Sequence, residues 1–82
     1  MSDVRVLLFA AVRELVGAGE LTRPVPTPAT AGGVLDALSA EFPSLTHYRA
    51  SLRLAVNGAY VRDDEPVRAG DEVAIIPPVA GG

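Results

Sequence analysis

The chain has 82 residues, a formal net charge of −3, no cysteine and a single histidine. This excludes disulfides, a thiol nucleophile and a thiolate metal site, and it argues against zinc, so that His47 reads as an ordinary surface residue. At this length folding buries only about 60–65% of the unfolded chain's surface, enough for one core but not for a deep catalytic cleft. All seven basic residues are arginines. The chain therefore offers no lysine side chain for attachment of another protein. No basic cluster points to nucleic acid. No apolar run reaches the length of a membrane span. The opening MSDVRV lacks the basic and apolar regions of a signal peptide, so a cytoplasmic location is expected.

Asp3 to Ala10 is expected as a first strand. Val4, Val6 and Leu8 fall on one face, with Arg5, Leu7 and Phe9 on the other. Ala11 to Val16 can form a short helix stopped by Gly17. Glu20 to Val25 is a second strand, and Pro24, Pro26 and Pro28 restrict it to a sheet edge. Thr30 is a helix N-cap. The helix runs from Ala31 or Gly32 to about Glu41 and stops before Pro43. Its Val34, Leu35, Leu38 and Phe42 share a core-facing side. Gly32-Gly33 weakens its first turn and is too short and isolated for a phosphate-binding loop. Ser44 to Ser51 is a connector in which Leu45 and Tyr48 are expected to tuck inward.

Leu52 to Val56 alternates as a strand, with Leu52, Leu54 and Val56 opposed to Arg53 and Ala55. Asn57-Gly58 is a strong hairpin signal, because a type I′ turn needs two positive φ angles. Ala59 to Val61 returns. Arg62 to Pro66 reads as a solvated acidic bend, and Ala69-Gly70-Asp71 as a turn into the last strand, Glu72 to Ile76. Pro77 and Pro78 lack backbone donors and cannot continue a central strand. They favour a stiff, extended path. Residues 77–82 reach roughly 20 Å when extended. Gly81 and Gly82 make the tip as thin as a polypeptide can be, suited to a narrow channel in another protein. A terminal Gly-Gly alone reads as a frayed end. The anchored strand and diproline behind it favour a function.

One long helix laid on a mixed sheet fits an α+β, ubiquitin-like β-grasp domain over residues 1–76, with the tail at 77–82. In that architecture the first and last strands lie side by side and parallel. If Val4, Val6 and Leu8 face the helix, Val73 and Ile75 do too. Leu7, Phe9, Ala74, Ile76 and Ala55 then form an apolar patch on the helix-free face beside the root of the tail. Such a patch marks a partner surface.

Three motifs carry a resemblance: FAAVREL (Phe9 to Leu15), LAVNGAYV (Leu54 to Val61) and GDEVAIIPPVAGG (Gly70 to Gly82). Together they resemble the family of molybdopterin synthase small subunits, from the first strand to the last residue. The sulfur carrier of thiamin-thiazole synthesis shares the fold and the Gly-Gly end, but is typically shorter and lacks the diproline. The resemblance implies that a ubiquitin-activating-like adenylyltransferase uses ATP to adenylate the Gly82 carboxylate. Sulfur then replaces the adenylate and leaves a thiocarboxylate. The tail delivers that sulfur to cyclic pyranopterin monophosphate in the large-subunit active site, for molybdenum cofactor biosynthesis, in a heterotetramer.

In this scheme the small chain binds no cofactor and no metal. It is a sulfur-donor subunit, not the catalytic one. Gly82 carries the chemistry and Gly81 keeps the tip narrow. Phe9, Arg13, Tyr60 and Ile76 are expected at the large-subunit interface, with Pro77, Pro78, Val79 and Ala80 leading into it. The alternatives are a sulfur carrier for thiamin thiazole or cysteine synthesis, and a ubiquitin-like binding module or protein modifier that never carries sulfur.

Overall fold

The computed structural model describes residues 3–24 and 29–77. Its elements are β1 (Asp3–Leu8), α1 (Ala10–Val16), β2 (Glu20–Pro24), β3 (Ala29–Thr30), α2 (Ala31–Glu41), a 3₁₀ segment (Pro43–Ser51), β4 (Arg53–Val56), β5 (Ala59–Val61), β6 (Pro66–Val67) and β7 (Glu72–Ile76). Five strands form one sheet in the order β2-β1-β7-β4-β5, and β3 and β6 form a separate two-stranded ribbon. The central pair, β1 and β7, is parallel, with Val6 opposite Val73 and Leu8 opposite Ile75. The remaining pairings in the sheet are antiparallel. This is the ubiquitin-like β-grasp, an α+β fold.

Strand alternation decides what is buried. Val4, Val6 and Leu8 of β1, Leu54 of β4, and Val73 and Ile75 of β7 form one core with Val34, Leu35 and Leu38 of α2. Val12 of α1 and Leu45 of the 3₁₀ segment join it, and Phe42 packs against its margin. Each fully buried aliphatic side chain contributes about 1.5–3 kcal/mol relative to leaving it exposed. Such a core is what offsets the chain's ordering entropy in a domain this small.

The start of α2 explains the paired glycines. Thr30 is the N-cap, and its Oγ1 accepts from the Gly33 amide at 3.0 Å. The Ala31 amide donates to the Glu65 carbonyl and the Gly32 amide to the Asp63 carbonyl, both at 2.9 Å. Three amides without intrahelical partners are thereby satisfied. A Cβ on Gly32 would lie 2.7 Å from the Asp63 Cβ and 3.0 Å from its carbonyl oxygen. Gly32 is therefore a close-approach residue that lets the β5–β6 loop seal the helix, rather than only a weak point in its first turn.

Four expectations need correction. Ser44 to Ser51 is part of a 3₁₀ helix, and Tyr48 is 46% exposed rather than tucked inward. Only one side of so tight a helix reaches the core, and Leu45 occupies it. Ala10 belongs to α1 instead of β1. The acidic loop is not merely a solvated bend. Asp63 Oδ2 accepts from Arg49 Nη2 at 2.8 Å, and Asp36 Oδ1 accepts from Arg49 Nε at 3.0 Å. Arg49 thus ties α2, the 3₁₀ segment and the loop together. Pro66 pairs with Thr30 in the β3–β6 ribbon.

Candidate functional site

The site is the helix-free face of the sheet together with the point where the chain leaves it. Register fixes the side chains on this face. Leu7 lies opposite Glu20 on one side and Ala74 on the other. Ala74 lies opposite Ala55, and Ala55 opposite Tyr60. The row Glu20–Leu7–Ala74–Ala55–Tyr60 therefore crosses all five strands on one face. The next row towards the tail holds Ile76 opposite Arg53. Ala55 is only 6% exposed yet stands outside the helix-side core. A methyl group between Ala74 and Tyr60 is covered by its neighbours without touching the core.

Phe9 reaches this face through its backbone. It is the N-cap of α1 but remains extended, with φ −125° and ψ 153°. The alternation of β1 thus carries one residue further and directs Phe9 to the same side as Leu7. The turn comes at Ala10, whose φ is +48°. A non-glycine residue in this region costs about 1–2 kcal/mol. Phe9 also supplies no side-chain cap, where Ser, Thr, Asp or Asn would each stabilise the helix by roughly 1 kcal/mol. It is 45% exposed. A large apolar side chain left outside the core and nearly half exposed, supplying no cap and next to a strained residue, follows the pattern expected of a functional position.

Arg13, one turn into α1, lies across Gly19: its Nε and Cζ would come within 3.3 and 3.4 Å of a Cβ there. Among the described residues its guanidinium forms no ion pair. Tyr60, on the edge strand β5, is 71% exposed. Ile76 and Pro77 are half-buried. Phe9, Ile76 and Tyr60 are thus brought to one face, and Arg13 is on the helix that follows Phe9. Pro78, Val79, Ala80, Gly81 and Gly82 lie outside the described residues.

The other end of the face is closed by charge. Arg5 Nε donates to Glu20 Oε2 at 3.2 Å, and Arg5 Nη1 lies 3.4 Å from Glu72 Oε2. All three of these charges are spent on one another.

Asn57 does more than its sequence role indicates. It and Gly58 have φ of +51° and +88°, as a type I′ hairpin requires. Its Nδ2 also donates to Asp71 Oδ1 at 3.1 Å, and its Oδ1 accepts from the Glu72 amide at 3.0 Å. The β4–β5 turn is thereby bonded to the start of β7, the strand that leads to the tail. The Arg68 amide donates to Asp71 Oδ2 at 2.8 Å. That amide, and then Asn57, hold the Asp71 carboxyl below the usual carboxylate range. Sequence reasoning missed this staple, although an Asn preceding Gly and an Asp preceding the last strand were its visible signal.

Among the described residues no group of three potential metal ligands occurs, and no helix is long and apolar enough to cross a membrane.

A β-grasp sheet with a bare apolar face at the root of its C-terminal segment defines a ubiquitin-like carrier class of domain. The ThiS family matches residues 6–82, and the chain belongs to that family. It is 45% identical over 80 residues to the molybdopterin synthase sulfur carrier subunit of Arabidopsis thaliana, covering 98% of this chain and 83% of that protein. Among solved structures it resembles small archaeal modifier protein 1 of H. volcanii (TM-score 0.86, 30% identity, 96% of this chain and 100% of the other). It also matches a chain in the complex of subunits 1 and 2 of molybdopterin-converting factor from Helicobacter pylori (TM-score 0.70, 21% identity, 98% and 99% covered), a likeness of fold alone.

Proposed function

We propose that this chain is the sulfur carrier subunit of molybdopterin synthase, holding sulfur as a thiocarboxylate on Gly82 and giving it to cyclic pyranopterin monophosphate in the large subunit's active site. The observation that carries this reading is the continuity of the bare apolar face, through Phe9 and Ile76, with the root of the tail at Pro77. Relatives bearing that name over nearly the whole chain support it. The face gives a partner an apolar surface to cover, and Pro77, where the tail begins, follows Ile76 at its margin.

The chemistry follows from the carboxylate. A free carboxylate is a poor electrophile because it is anionic and resonance-stabilised. Adenylation by a ubiquitin-activating-like partner, with ATP, gives it a good leaving group. Sulfide-level sulfur from the donor attacks the acyl carbon and displaces AMP, and the resulting thiocarboxylate sulfur is softer and more nucleophilic than oxygen. Two such donations build the dithiolene that binds molybdenum. Catalytic groups belong to the partners in this scheme. The fold contributes a rigid handle, and Gly81 keeps the tip narrow.

The test is an intact mass after incubation with ATP, the activating enzyme and a sulfur donor, with the C-terminal peptide sequenced. Exchange of one oxygen for sulfur on Gly82, followed by its loss when large subunit and cyclic pyranopterin monophosphate are added, is the expected result. Reading the peptide matters because oxidation of Met1 adds nearly the same mass. No exchange, with an activating enzyme competent on another carrier, overturns the proposal. A second reading, protein modification, draws on the likeness to the archaeal modifier. It predicts mass adducts of this chain on other proteins in place of the thiocarboxylate.

A further inference from the structure

Arg53 is the one residue of β4's outer face whose chemistry the apolar patch does not absorb. Register places it opposite Ile76, level with the root of the tail. It is exposed and makes no ion pair or side-chain hydrogen bond among the described residues. It lines a groove of about 410 Å³ between the end of the 3₁₀ segment and Tyr60. Asp63 also lines this groove, but its carboxylate is already bound by Arg49 at 2.8 Å. The carboxylates on the bare face, Glu20 and Glu72, are held by Arg5 at its far end. A chain of net charge −3 thus leaves a guanidinium uncompensated among the described residues, beside the bare apolar face.

We infer that Arg53 is a specificity-determining residue of the docking face, and that the large subunit sets a carboxylate against it in the groove beside Tyr60. This rests on the proposed function and deepens it, naming the chemistry of the partner surface: apolar against Phe9, Leu7 and Ile76, acidic opposite Arg53. A guanidinium offers a planar fork that matches a carboxylate in two parallel hydrogen bonds. A charge at the margin of an interface acts chiefly on the association rate and on discrimination between partners, by penalising a surface that presents a cation. Groove and patch share Tyr60, so a partner covering the patch meets Arg53 without further rearrangement.

The experiment measures association rate and Kd of the full chain with its large subunit, at low and high salt, for the wild type and for Arg53→Gln, Arg53→Glu, Arg68→Glu and Phe9→Glu. Arg68 precedes β7 at the end away from the tail, so Arg68→Glu matches Arg53→Glu in net charge. Arg53→Glu is expected to lower the association rate at least about fivefold at low salt and to flatten its salt dependence, with Arg53→Gln intermediate. Arg68→Glu should be close to wild type. Equal effects of the two charge reversals, or none from Arg53→Glu, overturn the inference while leaving the proposed function standing if Phe9→Glu still weakens binding. A wild-type chain that does not bind the large subunit overturns both. Arg53 has no partner to lose among the described residues, and thermal melts of each variant verify that folding is intact.

Discussion

Val6 and Leu7 are consecutive residues of β1, yet Val6 is fully buried beneath α2 and Leu7 is half-exposed on the bare face. The same division runs through β7, where Val73 and Ile75 are buried and Ala74 and Ile76 are not. The helix-covered face carries the domain's core, while the bare face is the one the proposed function assigns to recognition. A period of two separates them so cleanly that adjacent residues answer to different constraints. The bare face is also bordered by local costs. It is entered through a strained Ala10 and a helix cap without a capping side chain.

The sharpest way to separate fold from function is to delete Gly82. Sulfur transfer in a reconstituted synthase should vanish, while the thermal melt stays where it was, since the residue follows the last strand. Retained transfer would sink the tail mechanism. Next come paired substitutions across the two faces. Val6→Glu places an unpaired charge in the core and should prevent stable folding, read by circular dichroism. Phe9→Glu should leave the melt nearly unchanged and weaken large-subunit binding at least about tenfold, as expected for an aromatic anchor. If Phe9→Glu unfolds the chain instead, the division between faces is wrong.

Smaller effects refine the link between the hairpin and the tail's strand. Asn57→Gly keeps a residue that accepts positive φ but removes both side-chain bonds to Asp71 and Glu72. A loss of about 1–2 kcal/mol in denaturant unfolding is expected. The smallest effect is acid sensitivity. Asp71 is held low by the Arg68 amide and Asn57, and Glu41 by its hydrogen bonds from Arg23. A carboxyl with a depressed folded pKa stabilises the fold at pH values above its unfolded value, about 4. That contribution is lost as pH falls through the lower folded value. Melting temperature should therefore decline below about pH 4, and the decline should be shallower in Asp71→Asn.

Much of this was legible because it depends on local rules. Alternation in DVRVLL and DEVAII assigned both faces of the central strands, and Thr30, Pro43 and Asn57-Gly58 marked a helix start, a helix stop and a hairpin. The patch of Leu7, Phe9, Ala74 and Ile76 needed one more step, the parallel pairing of first and last strands. What stayed hidden depends on contacts distant in sequence. Asp63 reads as a solvated acid until Arg49 is folded next to it. Gly32 reads as a flaw in a helix until the β5–β6 loop is brought against it. Tyr48 looked apolar enough to bury, but a 3₁₀ turn had room for only Leu45. Arg53 was visible as the polar half of an alternating strand, but its lack of a partner emerged only when the neighbouring charges were found paired elsewhere.

The parallel pairing of β1 and β7 has a temporal consequence. Leu7 and Phe9 come from one end of the described chain, and Ala74 and Ile76 from the other. Neither half presents the surface alone. Because these strands meet across nearly the whole sequence, their contact is costly in loop-closure entropy and belongs to the late, non-local part of folding. A partner that reads this surface is therefore reading completion. A nascent or truncated chain would not present it, so in the proposed scheme the large subunit would accept sulfur only from carriers that have finished folding.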